Sequence, residues 1–327
     1  MTNKFRWFVE KDIMSTKRLW AIEWLSIIYG AITAIFALFL WQDLAHPGMM
    51  LLQRGFILLG TLALWRLYRL WSTRIMTFIR ITAQMALLSF WYPETYEFNS
   101  RLQNLDHIFT RWDEVLFGCQ PSLEFSRMCP WGWLSEALNM GYFSYYIMIV
   151  AVMVFFFLCH KKEYERASFV VMCSFFIYYL IYVCLPVVGP QFYFQAVGVE
   201  TIEAGIYPEV GTYFSQHTEM LPAPGDADGF FYRMVRSAQD TGERPTAAFP
   251  SSHIGISLIL LYLVFPYSKK IFVALLPFVT LLSLATVYIQ AHYLVDAIAG
   301  VISSVLVFLL SSYLFDKGLF KQSLNAV

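Results

Sequence analysis

Apolar runs of membrane-spanning length recur along most of this chain, separated by short basic turns or by longer polar stretches. Eight can be drawn, at 21–41, 50–68, 75–92, 133–159, 167–187, 254–266, 271–289 and 297–315. A helix needs about 17 to 25 mostly apolar residues to cross a hydrocarbon core of roughly 30 Å. The sixth run is short and must borrow residues on either side. The pattern predicts an all-α polytopic membrane helix bundle of about eight transmembrane helices. Two longer stretches, 93–130 and 188–250, are rich in Gly, Pro, Asp, Glu and aromatics, and are expected to be ordered caps or substrate-binding loops rather than linkers.

The basic residues orient the spans. Lys4, Lys11, Lys17, Lys161, Lys162, Lys269, Lys270, Lys317 and Lys321 all fall on one side, joined by Arg66, Arg69, Arg74 and Arg166. An excess of Lys and Arg marks cytoplasmic loops, so both termini and the short turns are expected in the cytoplasm and the two long stretches outside. The start, MTNKFRWFVEKDIMSTKRLW, is polar and basic, and the run after it has no small-residue cleavage signature, so that run is expected to be a retained anchor. Composition agrees with a membrane protein: 58% hydrophobic, 14% charged, mean hydropathy +0.55. With formal net charge zero there is no electrostatic case for nucleic acid as a partner. There is no tandem repeat or heptad pattern, and one integrated membrane domain is the simplest partition. Within it, residues 1–132 hold the N-terminal spans and outer loop, 133–315 the catalytic membrane core and 316–327 a cytoplasmic tail.

Two segments carry candidate chemistry: Ala247-Ala248-Phe249-Pro250-Ser251-Ser252-His253 and Ala291-His292-Tyr293-Leu294-Val295-Asp296-Ala297-Ile298-Ala299-Gly300. Titratable groups are costly at a membrane boundary, and a pair of histidines with an aspartate there points to function. From His253 the chain descends roughly 22 Å to the turn at Lys269 and Lys270 and climbs back over a similar length, so His292 is expected at the depth of His253. His292 and Asp296 are four apart and are expected on one face of a helix turn, with the carboxylate fixing the imidazole tautomer. Ser251 or Ser252 can cap the sixth helix, whose exposed N–H groups and positive dipole end suit a phosphate. The long stretch 188–250 leads directly into His253 and is expected to act as a lid. Its aromatics Phe192, Tyr193, Phe230, Phe231 and Tyr232 are expected in the interfacial belt, or else as walls of the site. No cysteine pair has metal-ligand spacing and no metal or cofactor is expected. Cys119 and Cys129 share the outer side, where an oxidising compartment would allow a disulfide.

At these residues the chain resembles the type 2 phosphatidic acid phosphatase superfamily, whose membrane enzymes carry Pro-Ser-x-His and a later histidine with an aspartate four residues on. The likeness runs from about Cys184 to Gly300. Residues 248–253 and the stretch YIQAHYLVDAIAG at 288–300 look most like the inositol phosphorylceramide synthase branch, as does the proline-rich exit from a span at 185–192, which includes Gln191. The resemblance implies that His292 is the nucleophile, Asp296 its orienter and His253 the general acid, with Ser251, Ser252, Arg244, Arg236, Gln191 and Tyr293 as candidate phosphate or substrate contacts. Two departures stand out. The superfamily's phosphatases place a lysine seven residues before an Arg-Pro and an arginine six before the nucleophile; here these positions are Ser237 and Thr286. Arg236, one residue out of register, and Arg244 are the substitutes.

Fewer cations suit a phosphodiester better than a monoester dianion. The resemblance to the synthase branch implies that the reaction is phosphotransfer. A phospho head group such as phosphoinositol would move from a glycerophospholipid donor to a ceramide-like lipid alcohol through a phosphohistidine. With water as acceptor the same residues would form a lipid phosphate phosphatase, acting on phosphatidic acid-like, polyprenyl or lipid A phosphates; a third reading is a non-catalytic phospholipid transporter. The expected membrane is a bacterial inner membrane or a eukaryotic Golgi-like one, with the site on the periplasmic or lumenal face.

Overall fold

The computed structural model describes residues 8–12 and 18–317; Lys4, Lys17 and Lys321 lie outside them, as does the tail beyond 317. Among the described residues the protein is helical, with one isolated bridge between Lys11 and Thr73 in place of any strand. The helices are α1 (Ala21–Phe39), α2 (Pro47–Leu70), α3 (Arg74–Ala86), α4 (Leu88–Asn99), α5 (Asp106–Phe117), α6 (Pro121–Met128), α7 (Gly132–Cys159), α8 (Lys161–Cys184), α9 (Pro190–Val197), α10 (Val199–Glu203), α11 (Phe230–Gly242), α12 (Ser252–Val264), α13 (Lys269–Tyr288) and α14 (Leu294–Lys317). Among the described residues, seven helices are long and apolar enough to cross a membrane, counting α3 and α4 as one span at Arg74–Asn99. The expected sixth span is α12, apolar but only 13 residues, about 20 Å of helix.

Contacts divide the chain into two units: Met1–Trp91 with Met153–Phe176 and Leu309–Val327, and Tyr92–Val152 with Ile177–Phe308. The stretch 93–130 packs in the unit that holds both motifs. In the first unit, Glu23 of α1 and Arg80 of α3 are both fully buried and paired, Arg80 Nε donating to Oε1 at 2.8 Å. The guanidinium also lies 4.7 and 4.6 Å from the ring centres of Trp20 and Tyr68. One turn on, Gln84 accepts from Ser26 at 2.6 Å and donates to Thr61 at 3.1 Å. Charges on apolar helices persist only with partners of this kind.

The second unit departs from the sequence reading where loops were expected. Helix continues past Pro93 to Asn99, and the ladder is interrupted at Leu87, between α3 and α4. The remainder of 93–130 forms α5 and α6. Phe192 and Tyr193, expected in the interfacial belt or lining the site, are instead buried with Phe194 in a core that includes Phe109 of α5, Leu123 of α6 and Tyr293. Phe230 is exposed. Cys119 and Cys129 are unbonded.

Candidate active site

Helix α12 starts where Ser251 can cap it: its hydroxyl accepts the Ile254 N–H at 3.5 Å. His253 therefore lies in the first turn. Its ring stacks on Tyr142 at 4.9 Å and leans on Tyr145 at 4.7 Å, both on α7. Its Nδ1 is buried and has no hydrogen-bond partner.

His292 occupies the tight turn between α13 and α14. The turn is closed by Gln290 at φ 64° and by the His292 N–H donating to the Thr286 carbonyl at 3.0 Å. The imidazole is 3% exposed and faces the edge of His253, ring centroids 5.8 Å apart. The structure thus brings together two histidines 39 positions apart in the sequence. Burial first, then the neighbouring His253, push the His292 imidazole down to about 3, so it is neutral at physiological pH and holds a free lone pair.

Asp296 is fully buried, with Oδ2 3.6 Å from His292 Nδ1, within ion-pair reach and longer than a hydrogen bond. The expectation that both sit on one helical face needs correcting, since His292 precedes the helix. Asp296 is the third residue of α14, and its Oδ2 accepts the Tyr293 N–H at 2.9 Å, as in one half of a capping box. Oδ1 has no partner. The Ala248 carbonyl is an acceptor for the His292 ring, whose Nδ1 has no partner within hydrogen-bond distance.

Two aspartates that the sequence reading passed over hold this turn. Asp113 of α5 accepts the N–H groups of Leu294 and Val295, both at 2.9 Å, and so satisfies the first donors of α14. Asp106, seven residues earlier on the same helix face, accepts from the N–H groups of Val188 and Gly189 at 2.8 and 2.9 Å and from the Tyr293 hydroxyl at 2.9 Å. Burial pushes Asp106 up to about 6 in spite of these donors. The spacing Asp106, Thr110, Asp113 was the available signal: all three share one face, and Thr110 also donates to the Tyr293 hydroxyl at 3.0 Å.

The remaining candidates are placed as follows. The anion cradle expected at the start of α12 is largely occupied: the Ser252 N–H donates to the Tyr182 hydroxyl at 3.0 Å and the Ser251 N–H to the Asp296 carbonyl at 3.1 Å. Tyr182, from α8, bridges by donating to the Pro250 carbonyl at 2.9 Å. Tyr293 is buried, its hydroxyl committed to Asp106 and Thr110, so it supports the turn from below instead of facing a substrate. Gln191 is 3% exposed, with its N–H on the Gln290 carbonyl at 2.9 Å. Arg236 pairs with Asp240 at 3.1 Å along α11, and Arg244 is exposed. Thr286, at the missing arginine position, is fully buried and donates to the Ser283 carbonyl at 2.8 Å.

Close approach explains two glycines. Gly189, at φ +91°, lies where a Cβ would come within 2.6 Å of the Ala291 carbonyl oxygen. On α14 a Cβ at Gly300 would stand 2.7 Å from the Ser251 carbonyl oxygen and 3.2 Å from Ile254 Cβ. Gly300→Ala should therefore push α12 away from α14, costing about 1–3 kcal/mol and reducing turnover roughly 10- to 100-fold through misalignment of His253. Thermal unfolding in detergent and a lipid turnover assay would check both; unchanged turnover would show that this spacing does not set the geometry.

The sequence model of the PAP2 superfamily matches residues 107–310, well over half of the chain and including both motifs. The chain belongs to the PAP2 superfamily. Membership makes it a membrane-embedded enzyme of phosphatase or phosphotransferase type, acting on lipid phosphate esters. No curated protein and no solved structure matches the chain significantly.

Proposed function

We propose that this PAP2 enzyme is a lipid phosphotransferase, moving a phospho head group such as phosphoinositol from a glycerophospholipid to a ceramide-like acceptor. The carrying observation is the scarcity of cations where the superfamily's phosphatases would hold a monoester dianion: Thr286 is buried, Ser237 stands at the lysine position and Arg236 is engaged by Asp240. A phosphodiester carries one charge fewer and tolerates that loss.

In this reading His292 attacks phosphorus through Nε2 while Asp296 holds the proton on Nδ1. The P–O bond to diacylglycerol breaks, and His253, protonated for this step, gives its proton to the departing oxygen. The neutral His253 next takes the proton from the primary hydroxyl of the acceptor, which attacks the phosphohistidine and leaves His292 free. Splitting the displacement in two is the gain from covalent catalysis, and acid–base help of this kind is worth roughly 10²- to 10⁴-fold. Arg244, exposed and nine residues before His253, is the candidate phosphate contact. The positions of the lysines support a site on the periplasmic or lumenal face with both termini in the cytoplasm.

The test is product analysis with purified protein given labelled phosphatidylinositol with and without ceramide and, separately, phosphatidic acid. A phosphosphingolipid that forms only with ceramide is expected. Free phosphate from phosphatidic acid, with no ceramide product, would make the protein a lipid phosphatase; head-group bonds left intact throughout would indicate a transporter.

A further inference from the structure

Beside the histidine pair lies a polar cluster with no part in the chemistry above. Glu243 follows α11 directly, and its Oε1 accepts the Gln191 side-chain amide at 3.1 Å. Gln239, one turn earlier, donates to Gln191 Oε1 at 3.2 Å and also bonds Glu243, so the three side chains close a ring. Arg236, a further turn back, acts electrostatically on the same carboxylate. Gln191 and Gln239 are each 3% exposed, yet Gln239 Oε1 and Arg236 Nη1 are buried without partners. Such groups are costly to leave unpaired.

Two links place the cluster at the reacting centre. The Gln191 N–H is bonded to the carbonyl of Gln290, two residues before His292. Glu243 also acts electrostatically on the hydroxyl of Tyr142, whose ring stacks on His253. A carboxylate accepts hydrogen bonds and repels phosphate oxygens, so a phosphate does not belong here. An ammonium head group only donates, and a quaternary one does neither. Hydroxyls both donate and accept, which matches a carboxylate with two amides, a spare acceptor and a spare donor.

We infer that Glu243, Gln239 and Gln191, with Arg236 at the edge, form a head-group subsite for a polyol-bearing phosphodiester lipid. The inference rests on the transferase reading for its phosphodiester and adds which residues hold the head group. The ring of side chains opens to take two or more substrate hydroxyls, and the phosphate then lies between His292 and His253.

The experiment compares wild-type protein with Glu243→Gln, Glu243→Ala and Gln239→Met. Each is measured with phosphatidylinositol, phosphatidylcholine and bis(4-nitrophenyl) phosphate, a diester without a polyol, and by direct titration with inositol 1-phosphate. Wild type should favour phosphatidylinositol over phosphatidylcholine. The ratio of kcat/KM for phosphatidylinositol to that for the nitrophenyl diester should fall at least about tenfold in each variant, with inositol 1-phosphate binding weakened by a similar factor. An equal loss on both substrates, an unchanged ratio, or a wild-type preference for phosphatidylcholine that Glu243→Ala removes would each overturn the subsite. Titration needs neither acceptor nor turnover, so a missing ceramide product would sink the transferase reading and leave the subsite result readable.

Discussion

Replacing His292 by alanine should lower lipid turnover by at least about a thousandfold, because it removes the atom that bonds to phosphorus. His253→Ala should cost roughly 10²- to 10⁴-fold, the usual range for a general acid and base. The double variant should be scarcely worse than His292→Ala alone, since groups serving one step are not additive. Two packing histidines would behave otherwise. His253 touches Tyr142 and Tyr145 and His292 is buried, so a packing role predicts stability losses with turnover reduced only in proportion to the folded fraction. Turnover per folded molecule, with the folded fraction taken from thermal unfolding in detergent, separates the two.

Asp106→Ala should destabilise the protein by about 3–5 kcal/mol, a large part of the 5–15 kcal/mol that holds a typical domain. It strands the Val188 and Gly189 N–H groups, the Tyr293 hydroxyl and the Asn104 amide, which donates to Asp106 at 2.6 Å. The effect should reach the site, because Gly189 packs against the Ala291 carbonyl and Tyr293 adjoins His292. Asp106→Asn keeps an acceptor and should lose less. Chemical denaturation in mixed micelles, scored with a far-UV signal, measures both; equal stability of Asp106→Ala and wild type would show that α5 does not anchor the catalytic turn.

The sequence carried the site better than its surroundings. His253 and His292 were legible because each sits at the end of an apolar run, and counting residues down one helix and up the next puts them at one depth. Gly300 was visible as part of the second motif, though its reason, the backbone of Ser251 against α14, belongs to the fold. The stretch 93–130 misled because Gly, Pro and acidic residues read as loop, while Asp106 and Asp113 are there to be buried and to accept backbone donors from segments more than 80 residues away. The anion cradle failed for a similar reason: the Ser252 N–H is taken by Tyr182, a partner 70 positions distant that no local pattern announces. Tyr293 looked like a substrate contact from its place beside His292, whereas its hydroxyl points to Asp106 and Thr110.

The most direct measurement is a rapid acid-free quench of enzyme mixed with phosphatidylinositol labelled with ³²P, in the absence of acceptor, followed by peptide mapping. Label that is stable to alkali, lost in acid and carried by the peptide containing His292 is the predicted result, and added ceramide should discharge it into a phosphosphingolipid. Turnover with no protein-bound label at any time, or label retained in His292→Ala, would contradict the assignment of His292 as nucleophile.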